Sequence, residues 1–312
     1  MPYMFDEINR KVRDMPQAFV DECDAEAQRR IEIAAERIIA NLPQSPIVLL
    51  AGPSGSGKTT TAKKLEIELE KRGINTHSVS MDNYFVTLDP DTAPRTAKGD
   101  IDYESPKCLD MELLNEHFAK LSVGEEIRIP HFMFDRQKRS ASRFTNMRLQ
   151  KNEIAIFEGI HAFNDAITDA HPEAFNLYIS VNTRIQRDGD KAYFRRKWMR
   201  LLRRVVRDDK FRGSDAEFTL KMWSNVVDGE VKHILSNIGK TDYAIDSSLA
   251  YEVSLMAPFA LPLFEALPQD QTWVPQLNKI IERLREFEPL DEKYVRPESL
   301  MREFIGGGIY KY

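Results

Sequence analysis

Residues 52–59, with the sequence GPSGSGKT, fit the phosphate-loop pattern G-x-x-x-x-G-K-[ST] in full. An apolar run, PIVLLA at 46–51, precedes this loop, and a helical pattern follows it over 59–71. A short apolar run of this kind is typical of a buried parallel strand, and the glycines let successive N–H groups face a phosphate. The strand, loop and helix together predict an α/β fold that binds a nucleotide.

Each part of this phosphate loop has an expected role. Lys58 would reach the β- and γ-phosphates, and the Thr59 hydroxyl would hold Mg²⁺. The N–H groups at the start of the following helix would also face the phosphates. The residues that we expect to bind the nucleotide are Gly52, Ser54, Gly55, Ser56, Gly57, Lys58, Thr59 and Thr60.

Further strand patterns alternate with helical segments along the chain. Strands are predicted over 76–81, 153–157, 176–181 and 242–245, and a helix is predicted over 16–41 from its apolar spacing. Together with the phosphate loop, this alternation predicts a three-layer α/β sandwich of the P-loop NTPase type, with a mostly parallel sheet; the helical lid of the predicted fold is implied by the family resemblance described below.

Charge and cysteine content exclude several classes of protein. The 312 residues include 44 Lys and Arg, 49 Asp and Glu, and 2 Cys, for a formal net charge of −5. Two cysteines build neither a disulfide framework nor a zinc cage. The longest uncharged apolar stretch, 253–264, is too short to span a bilayer, and the charged N-terminus argues against a signal peptide. We expect a cytoplasmic protein with no membrane partner. The sequence leaves open whether it forms a homo-oligomer.

Residues outside the phosphate loop indicate which class of nucleotide-binding protein this is. A GTPase needs a guanine-reading N-K-x-D, and the nearest match, at 239–242, begins with Gly. A motor ATPase has a strand that ends in Asp-Glu, whereas the strand at 153–157 is followed by Glu158 and a glycine. Glu158 suits a residue that supports Mg²⁺ or water beside the phosphates, and a simple surface residue is the alternative interpretation.

Asp82 follows the second predicted strand, about one βα unit after the phosphate loop. Ligands of open α/β sheets bind beyond the carboxyl ends of the strands. Asp82 would therefore point towards the γ-phosphate and could take a proton from an attacking hydroxyl. An N-cap or turn aspartate is the alternative interpretation.

Positive charge is concentrated in one segment, 184–212. It contains twelve Lys and Arg against four Asp, a net +8, so the rest of the chain carries −13. Arg196, Arg200, Arg203 and Arg207 recur at helical spacing and form an arginine stripe. Arginine is a bidentate partner of phosphate, which favours contact with a small polyanion. A solvated helix face and an RNA-binding surface are the alternatives, although the chain's negative bulk charge argues against nucleic acid.

These features together resemble the uridine kinase/phosphoribulokinase family of P-loop kinases over about 46–267. Besides the loop, the markers are DNYF at 82–85, similar to Asp-Ser-Phe-Tyr, and DYESP at 102–106, similar to Asn-Phe-Asp-His-Pro. The segment RRVVRDDKFRG at 203–213 resembles the family's lid, and REFIGG at 302–307 resembles the ending of many bacterial uridine kinase-like proteins.

The resemblance implies phosphoryl transfer from ATP, with Mg²⁺, to a hydroxyl of a nucleoside such as uridine or cytidine. Asp82 would then be the base that activates the 5'-hydroxyl, and Arg207 and Arg212 would neutralise the triphosphate. Glu104 and Arg204 would hold the ribose hydroxyls. The residues implied in substrate binding are Asp82, Tyr84, Glu104, Phe132, Gln137 and Arg204, and those implied in Mg²⁺ binding are Thr59 and Glu158.

The sequence departs from the family pattern mainly where the base of a nucleoside is recognised. Phe132 and Gln137 stand where the family has Tyr and His, Phe85 stands at a Tyr, and Ser214 stands at a lid Arg. A change from Tyr to Phe removes a hydroxyl that could select among the hydrogen-bonding groups of a substrate. The identity of the molecule that accepts the phosphoryl group therefore stays open. The alternatives are a kinase for another sugar or sugar phosphate, similar to phosphoribulokinase, and a nucleotide-gated RNA-binding or regulatory protein.

The same resemblance suggests how the chain is divided. A helical extension would cover 1–43, and the kinase core would cover 44–268 with its lid at about 184–214. A C-terminal helix and tail would cover 269–312.

Overall fold

The computed structural model describes residues 2–95, 99, 101–102, 105–133, 136–268 and 271–310. Within them, the strands are β1 (Tyr3–Met4), β2 (Ile47–Ala51), β3 (Asn75–Ser80), β4 (Ile127–Met133), β5 (Lys138–Met147), β6 (Glu153–Gly159), β7 (Phe175–Ser180), β8 (Ile185–Arg187), β9 (Asp190–Phe194) and β10 (Tyr243–Asp246). The α-helices are α1 (Phe5–Asp14), α2 (Pro16–Asn41), α3 (Lys58–Glu70), α4 (Met111–Ser122), α5 (Asp165–Thr168), α6 (Arg196–Phe211), α7 (Ala216–His233), α8 (Glu252–Glu265), α9 (Val274–Leu284) and α10 (Arg302–Ile305).

The centre of the molecule is a five-stranded parallel sheet with the order β10-β7-β2-β6-β3. Every residue of β2 and of β7 is buried, as expected for strands that are covered on both faces. The prediction of an α/β fold with a parallel sheet is confirmed. The order places β2, which carries the phosphate loop, between β7 and β6.

Alternate residues of the strands face two different layers. On one face, Val48 and Leu50 pack with Leu65 of α3 and Ala34 of α2. On the other face, the neighbouring residues of β2 and β6 pack with α4 and with the start of β4. The sheet is thus the middle layer of a three-layer sandwich, in agreement with the predicted class.

Two antiparallel elements are not predicted from the sequence. β4 pairs with β5, and β8 pairs with β9, while β1 joins β8 in parallel. Most side chains of β5 are exposed, so that strand has no apolar alternation to identify it.

Both ends of the chain contribute to one apolar core. Phe5 of α1 packs on Phe287 with ring centroids 4.9 Å apart, and Phe304 near the C-terminus is fully buried in the same cluster. The boundaries at 43/44 and 268/269 stay predictions. None of the helices formed by the described residues is long and apolar enough to cross a membrane.

Arg203 in α6 is a buried positive charge with no exposed surface, and it lies beside Phe304 of this core. Its guanidinium donates to the Ser247 carbonyl at 2.8 Å and pairs with the carboxylate of Glu252, which is also buried. Burial raises the pKa of Glu252, and the neighbouring Arg203 acts in the opposite direction. The pair joins α6 to α8.

We expect Glu252→Ala to lower the free energy of unfolding by about 3–5 kcal/mol, because Arg203 would keep a buried charge without its counter-ion. Urea denaturation measures this loss. The matched control is Glu265→Ala, which removes the exposed partner of Arg285 and should cost less than about 1 kcal/mol. Equal losses for the two variants would contradict a structural role for the buried pair.

Candidate active site

The phosphate loop connects β2 to α3, as its motif predicts. Gly55 and Gly57 have φ angles of 75° and 86°, in the left-handed region that favours glycine. At Gly52, a Cβ atom would lie 2.2 Å from the carbonyl oxygen of Ile179, so a larger residue does not fit. These constraints give the loop its curved backbone.

Lys58 is the first residue of α3, and its side chain folds back over the loop. The Nζ atom donates to the carbonyl oxygens of Gly52 at 2.8 Å and Pro53 at 3.3 Å. Burial lowers the pKa of Lys58, while the nearby carboxylates of Glu158 and Asp82 oppose that shift. The amine therefore lies close to both acidic residues that were predicted for the site.

Those two acidic residues come from neighbouring strands. Glu158 is in β6, where it pairs in register with Ser80 at the end of β3, and Asp82 lies in the short 3₁₀ turn that follows. Asp82 is an exposed residue, so solvent reaches its side chain, although the protein around it removes part of its hydration. This desolvation raises the pKa of Asp82, against the effects of Lys58 and Arg212, and burial likewise raises the pKa of Glu158.

The arginine stripe packs against the phosphate loop. Arg200 donates from Nε to the Ser54 carbonyl at 2.9 Å, and Arg203 donates to the Gly55 carbonyl at 3.3 Å. Arg200, Arg203 and Arg207 are buried, with 7%, 0% and 8% of their surface exposed. The stripe is therefore neither a solvated face nor an open RNA-binding surface, because three of its four arginines are covered by protein. Arg200 and Arg203 also pair with buried carboxylates, so their predicted contact with a small polyanion stays a prediction.

Two residues predicted to contact the substrate have partners within the protein. Arg204 donates to the Ser54 hydroxyl at 2.8 Å and pairs with Asp208 at 3.2 Å, so its guanidinium lies at the phosphate loop, and its contact with a ribose stays a prediction. Tyr84 is completely buried, and its hydroxyl bonds to Nδ1 of His117 at 2.8 Å, so it offers no exposed group to a substrate in this structure. Glu104, which was expected to hold the ribose hydroxyls together with Arg204, lies outside the described residues.

Arg207 and Arg212, at the end of α6, lie beside the start of α3. Together with Thr59, Arg302, Glu303 and the glycines 306–308 they line a cavity of about 370 Å³. Arg207 pairs with Asp208 at 2.7 Å, and Arg212 approaches the same carboxylate at 3.8 Å. Burial and the charge of Arg207 lower the pKa of Arg212. The cavity thus has three arginines, Arg207, Arg212 and Arg302, and the carboxylate of Glu303 beside the hydroxyl predicted to bind Mg²⁺.

A second, mainly apolar cavity of about 350 Å³ follows the turn that contains Asp82. It is lined by Phe85, Phe132 and Gln137, with Leu88 and Pro90 from the loop after the turn. The rings of Phe85 and Phe132 are 5.5 Å apart between centroids, at an angle of 55°. The cavity combines flat apolar walls with one side-chain amide, so it suits a planar ring with polar edges.

Two further acidic residues contact the loop and were not predicted. Glu230 of α7 accepts a hydrogen bond from the backbone N–H of Ser54 at 3.1 Å and pairs with Arg200. Glu303 of α10 accepts from the backbone N–H of Thr60 at 3.2 Å. Neither contact follows from a local spacing, and the only signal was the resemblance of residues 302–307 to a family ending.

The side chains that could bind a metal ion beside the phosphate loop offer oxygen atoms as ligands. Among the described residues, no group of three or more His, Cys, Asp or Glu is arranged to hold a metal without other ligands. The Thr59 hydroxyl and the Glu158 carboxylate fit Mg²⁺, which usually takes one or two protein ligands and completes its shell with water and phosphate oxygens.

Comparison with known proteins agrees with this arrangement. Residues 47–254 match the model of the phosphoribulokinase/uridine kinase family. The chain is 27% identical over 178 residues to a uridine kinase of Halobacterium salinarum, covering 57% of this chain and 69% of that one. It is 28% identical over 186 residues to a uridine kinase of Macrococcus caseolyticus, covering 60% and 80%.

Among solved structures, a D-glycerate 3-kinase from Cryptococcus neoformans is 14% identical with a TM-score of 0.46, over 70% of this chain and 97% of that one. The family match covers all five strands of the central sheet, the phosphate loop, Asp82, Glu158 and all of α6. The chain therefore belongs to the phosphoribulokinase/uridine kinase family, and is a phosphotransferase with a hydroxyl group as acceptor.

Proposed function

We propose that this protein is an ATP-dependent kinase that transfers the γ-phosphoryl group to the 5'-hydroxyl of a nucleoside similar to uridine or cytidine. The observation that carries this proposal is the cavity of Phe85, Phe132 and Gln137, which begins three residues after Asp82. Two aromatic rings can contact the faces of a base, and an amide can both donate to and accept from its edge. A cytoplasmic enzyme of nucleoside salvage is the setting that this proposal implies.

In the proposed reaction, Asp82 accepts the proton of the acceptor hydroxyl while the oxygen attacks the γ-phosphorus in line. The bond between the γ-phosphorus and the bridging oxygen breaks, and ADP leaves. Lys58, Arg207 and Arg212 bind phosphate oxygens and offset the charge that moves to ADP. Thr59 and Glu158 would hold Mg²⁺, which neutralises charge on the phosphates when it is bound.

The experiment that tests this function is an acceptor panel with Mg²⁺ and ATP, followed by mass spectrometry of the products. The panel contains uridine, cytidine, adenosine, ribose, glycerate and ribulose 5-phosphate. Preferred phosphorylation of a pyrimidine nucleoside supports the proposal. ADP formation without a phosphorylated acceptor would contradict it.

A phosphorylated acceptor is the second candidate, because Arg207 and Arg212 line a cavity of their own beside Thr59. Two guanidinium groups there could bind a phosphate that the acceptor already carries. Preference for ribulose 5-phosphate over every nucleoside in the panel would favour this candidate.

The pH dependence of turnover should report on Asp82. This carboxyl must be deprotonated to act as a base, so kcat/KM falls as the pH drops through its pKa. Because desolvation raises that pKa, the acid limb is expected above the ordinary aspartate value of about 3.9. Arg212→Gln removes a positive charge that lowers the pKa of Asp82, so the limb should move to higher pH.

Profiles of kcat/KM against pH for the two proteins measure this shift. The control is Arg143→Gln, which removes an exposed arginine of β5 and should leave the limb in place. An acid limb at the same pH in wild type and Arg212→Gln would show that Asp82 is not the titrating base.

A further inference from the structure

The C-terminal segment, defined here as residues 299–308, lies across the phosphate loop and reaches the start of α3. Its Glu303 carboxylate accepts two hydrogen bonds from Thr60, one from the backbone N–H at 3.2 Å and one from the hydroxyl at 2.5 Å. Thr60 is completely buried, and Glu303 keeps 8% of its surface exposed. The contact joins residues that are 243 positions apart in the sequence.

The N–H group that Glu303 binds belongs to the first turn of α3. In a phosphate loop, the N–H groups at the start of the helix are the groups offered to phosphate oxygens. A carboxylate oxygen therefore stands where a phosphate oxygen of the nucleotide is expected. The positive end of the helix dipole stabilises either anion, but one N–H cannot serve both fully.

The charges around Lys58 make the two anions compete further. Lys58 is influenced by the carboxylates of Glu158, Asp82 and Glu303, and Glu303 also acts on Glu158 and Arg212. A polyphosphate that enters the loop meets the negative charge of Glu303 at short range. Its binding is therefore weakened unless that side chain moves away.

The rest of the segment holds Glu303 in position. The Leu300 side chain packs on Gly57, where a Cβ atom would be 2.8 Å from a Leu300 methyl group. Phe304 is buried against Arg203, with 5.2 Å between the ring centroid and the guanidinium carbon. Because these anchors are buried, the movement that frees the loop is expected at the Glu303 side chain rather than as release of the whole segment.

We propose that Glu303 is a built-in competitor of the nucleotide, a carboxylate that occupies a phosphate position of the loop and must leave it before ATP or ADP binds. This proposal rests on the proposed function in one respect, namely that the loop binds a nucleotide. Glu303 then sets the affinity of the site and keeps the loop ordered while no nucleotide is bound.

The test is the dissociation constant of Mg²⁺-ADP for wild type and Glu303→Gln, measured by titration calorimetry, with thermal unfolding of both proteins without nucleotide. Glutamine keeps the shape and one acceptor oxygen but removes the charge. Losing a charge-assisted hydrogen bond from the nucleotide-free state should tighten ADP binding by about tenfold. The same loss should lower the unfolding temperature of the nucleotide-free protein by about 1–3 °C.

Tighter ADP binding together with a lower unfolding temperature distinguishes competition with the nucleotide from a purely structural role of Glu303. Weaker or unchanged ADP binding by Glu303→Gln overturns the proposal, as does a failure of both proteins to bind ADP. Glu298→Gln is the control, because it removes an exposed carboxylate from the residue just before the C-terminal segment. It should leave the dissociation constant of Mg²⁺-ADP within about twofold of the wild-type value. If ADP binding responds as expected but the acceptor panel yields no product, the competitor stands and the kinase function fails.

Discussion

Lys58→Ala is expected to lower kcat/KM by about 10²–10³-fold or more and to weaken nucleotide binding, while the protein stays folded. Lys58 begins α3 and holds its amine over the loop through two carbonyl contacts. When phosphates enter, this amine is the closest positive charge that the loop itself supplies. Its charge would stay beside the γ-phosphoryl group in the transition state. Removing that charge therefore raises the free-energy barrier of the chemical step.

Steady-state kinetics with Mg²⁺-ATP and the preferred acceptor measure the effect. Lys63→Ala is the matched control, since Lys63 lies on the same helix but pairs with Glu66 at 2.9 Å near the surface. The control should retain nearly full activity. If Lys58→Ala kept activity close to that of Lys63→Ala, the phosphate loop would not be the site of catalysis.

Asp82→Asn is expected to reduce kcat by about 10²–10⁴-fold, the usual contribution of a general base. The amide of asparagine has nearly the same shape but does not accept the hydroxyl proton. Nucleotide affinity should stay close to that of wild type or rise, because Asp82 adds negative charge near Lys58. The expected pattern is thus a loss of turnover without a loss of binding.

Comparing kcat with the dissociation constant of ADP separates these two effects. Asp89→Asn, in the exposed loop that follows, is a suitable control because asparagine can still accept from the N–H of residue 91. Turnover of Asp82→Asn within a few-fold of that control would exclude Asp82 as the base, and another proton acceptor would then be needed.

The part of the site that the sequence predicts is the part encoded over short distances. The phosphate loop needs glycines at φ angles of 75° and 86°, and it follows a strand apolar enough to be buried on both faces. Asp82 and Glu158 were identified because polar residues at the ends of neighbouring parallel strands converge on one edge of the sheet. Local pattern and sheet geometry suffice for these residues.

Contacts between distant parts of the chain were not predictable in this way. Helical spacing shows that Arg200, Arg203 and Arg207 share a face, but not what covers that face. In the structure it is covered by the phosphate loop, by α7 and by residues close to the C-terminus. Glu230 and Glu303 meet the loop only through tertiary packing, so no local pattern identifies them.

Tyr84 illustrates a different limit. It lies in the same 3₁₀ turn as Asp82, and a position in a turn does not fix on which side of the chain a side chain lies. The ring is buried beside His117, whereas Phe85, one residue later, lines the apolar cavity. A resemblance to a family motif identified the correct segment but not the direction of each side chain in it.

The most direct test of this account follows the γ-phosphoryl group itself. The protein is incubated with Mg²⁺ and ATP labelled in the γ-phosphoryl group, together with uridine or cytidine, and the label is traced by mass spectrometry. We predict that the label appears on the nucleoside, in step with ADP, and that Asp82→Asn forms neither product at a comparable rate. Label found only in inorganic phosphate, or no consumption of ATP with any acceptor, would contradict the assignment of this site as a nucleoside kinase.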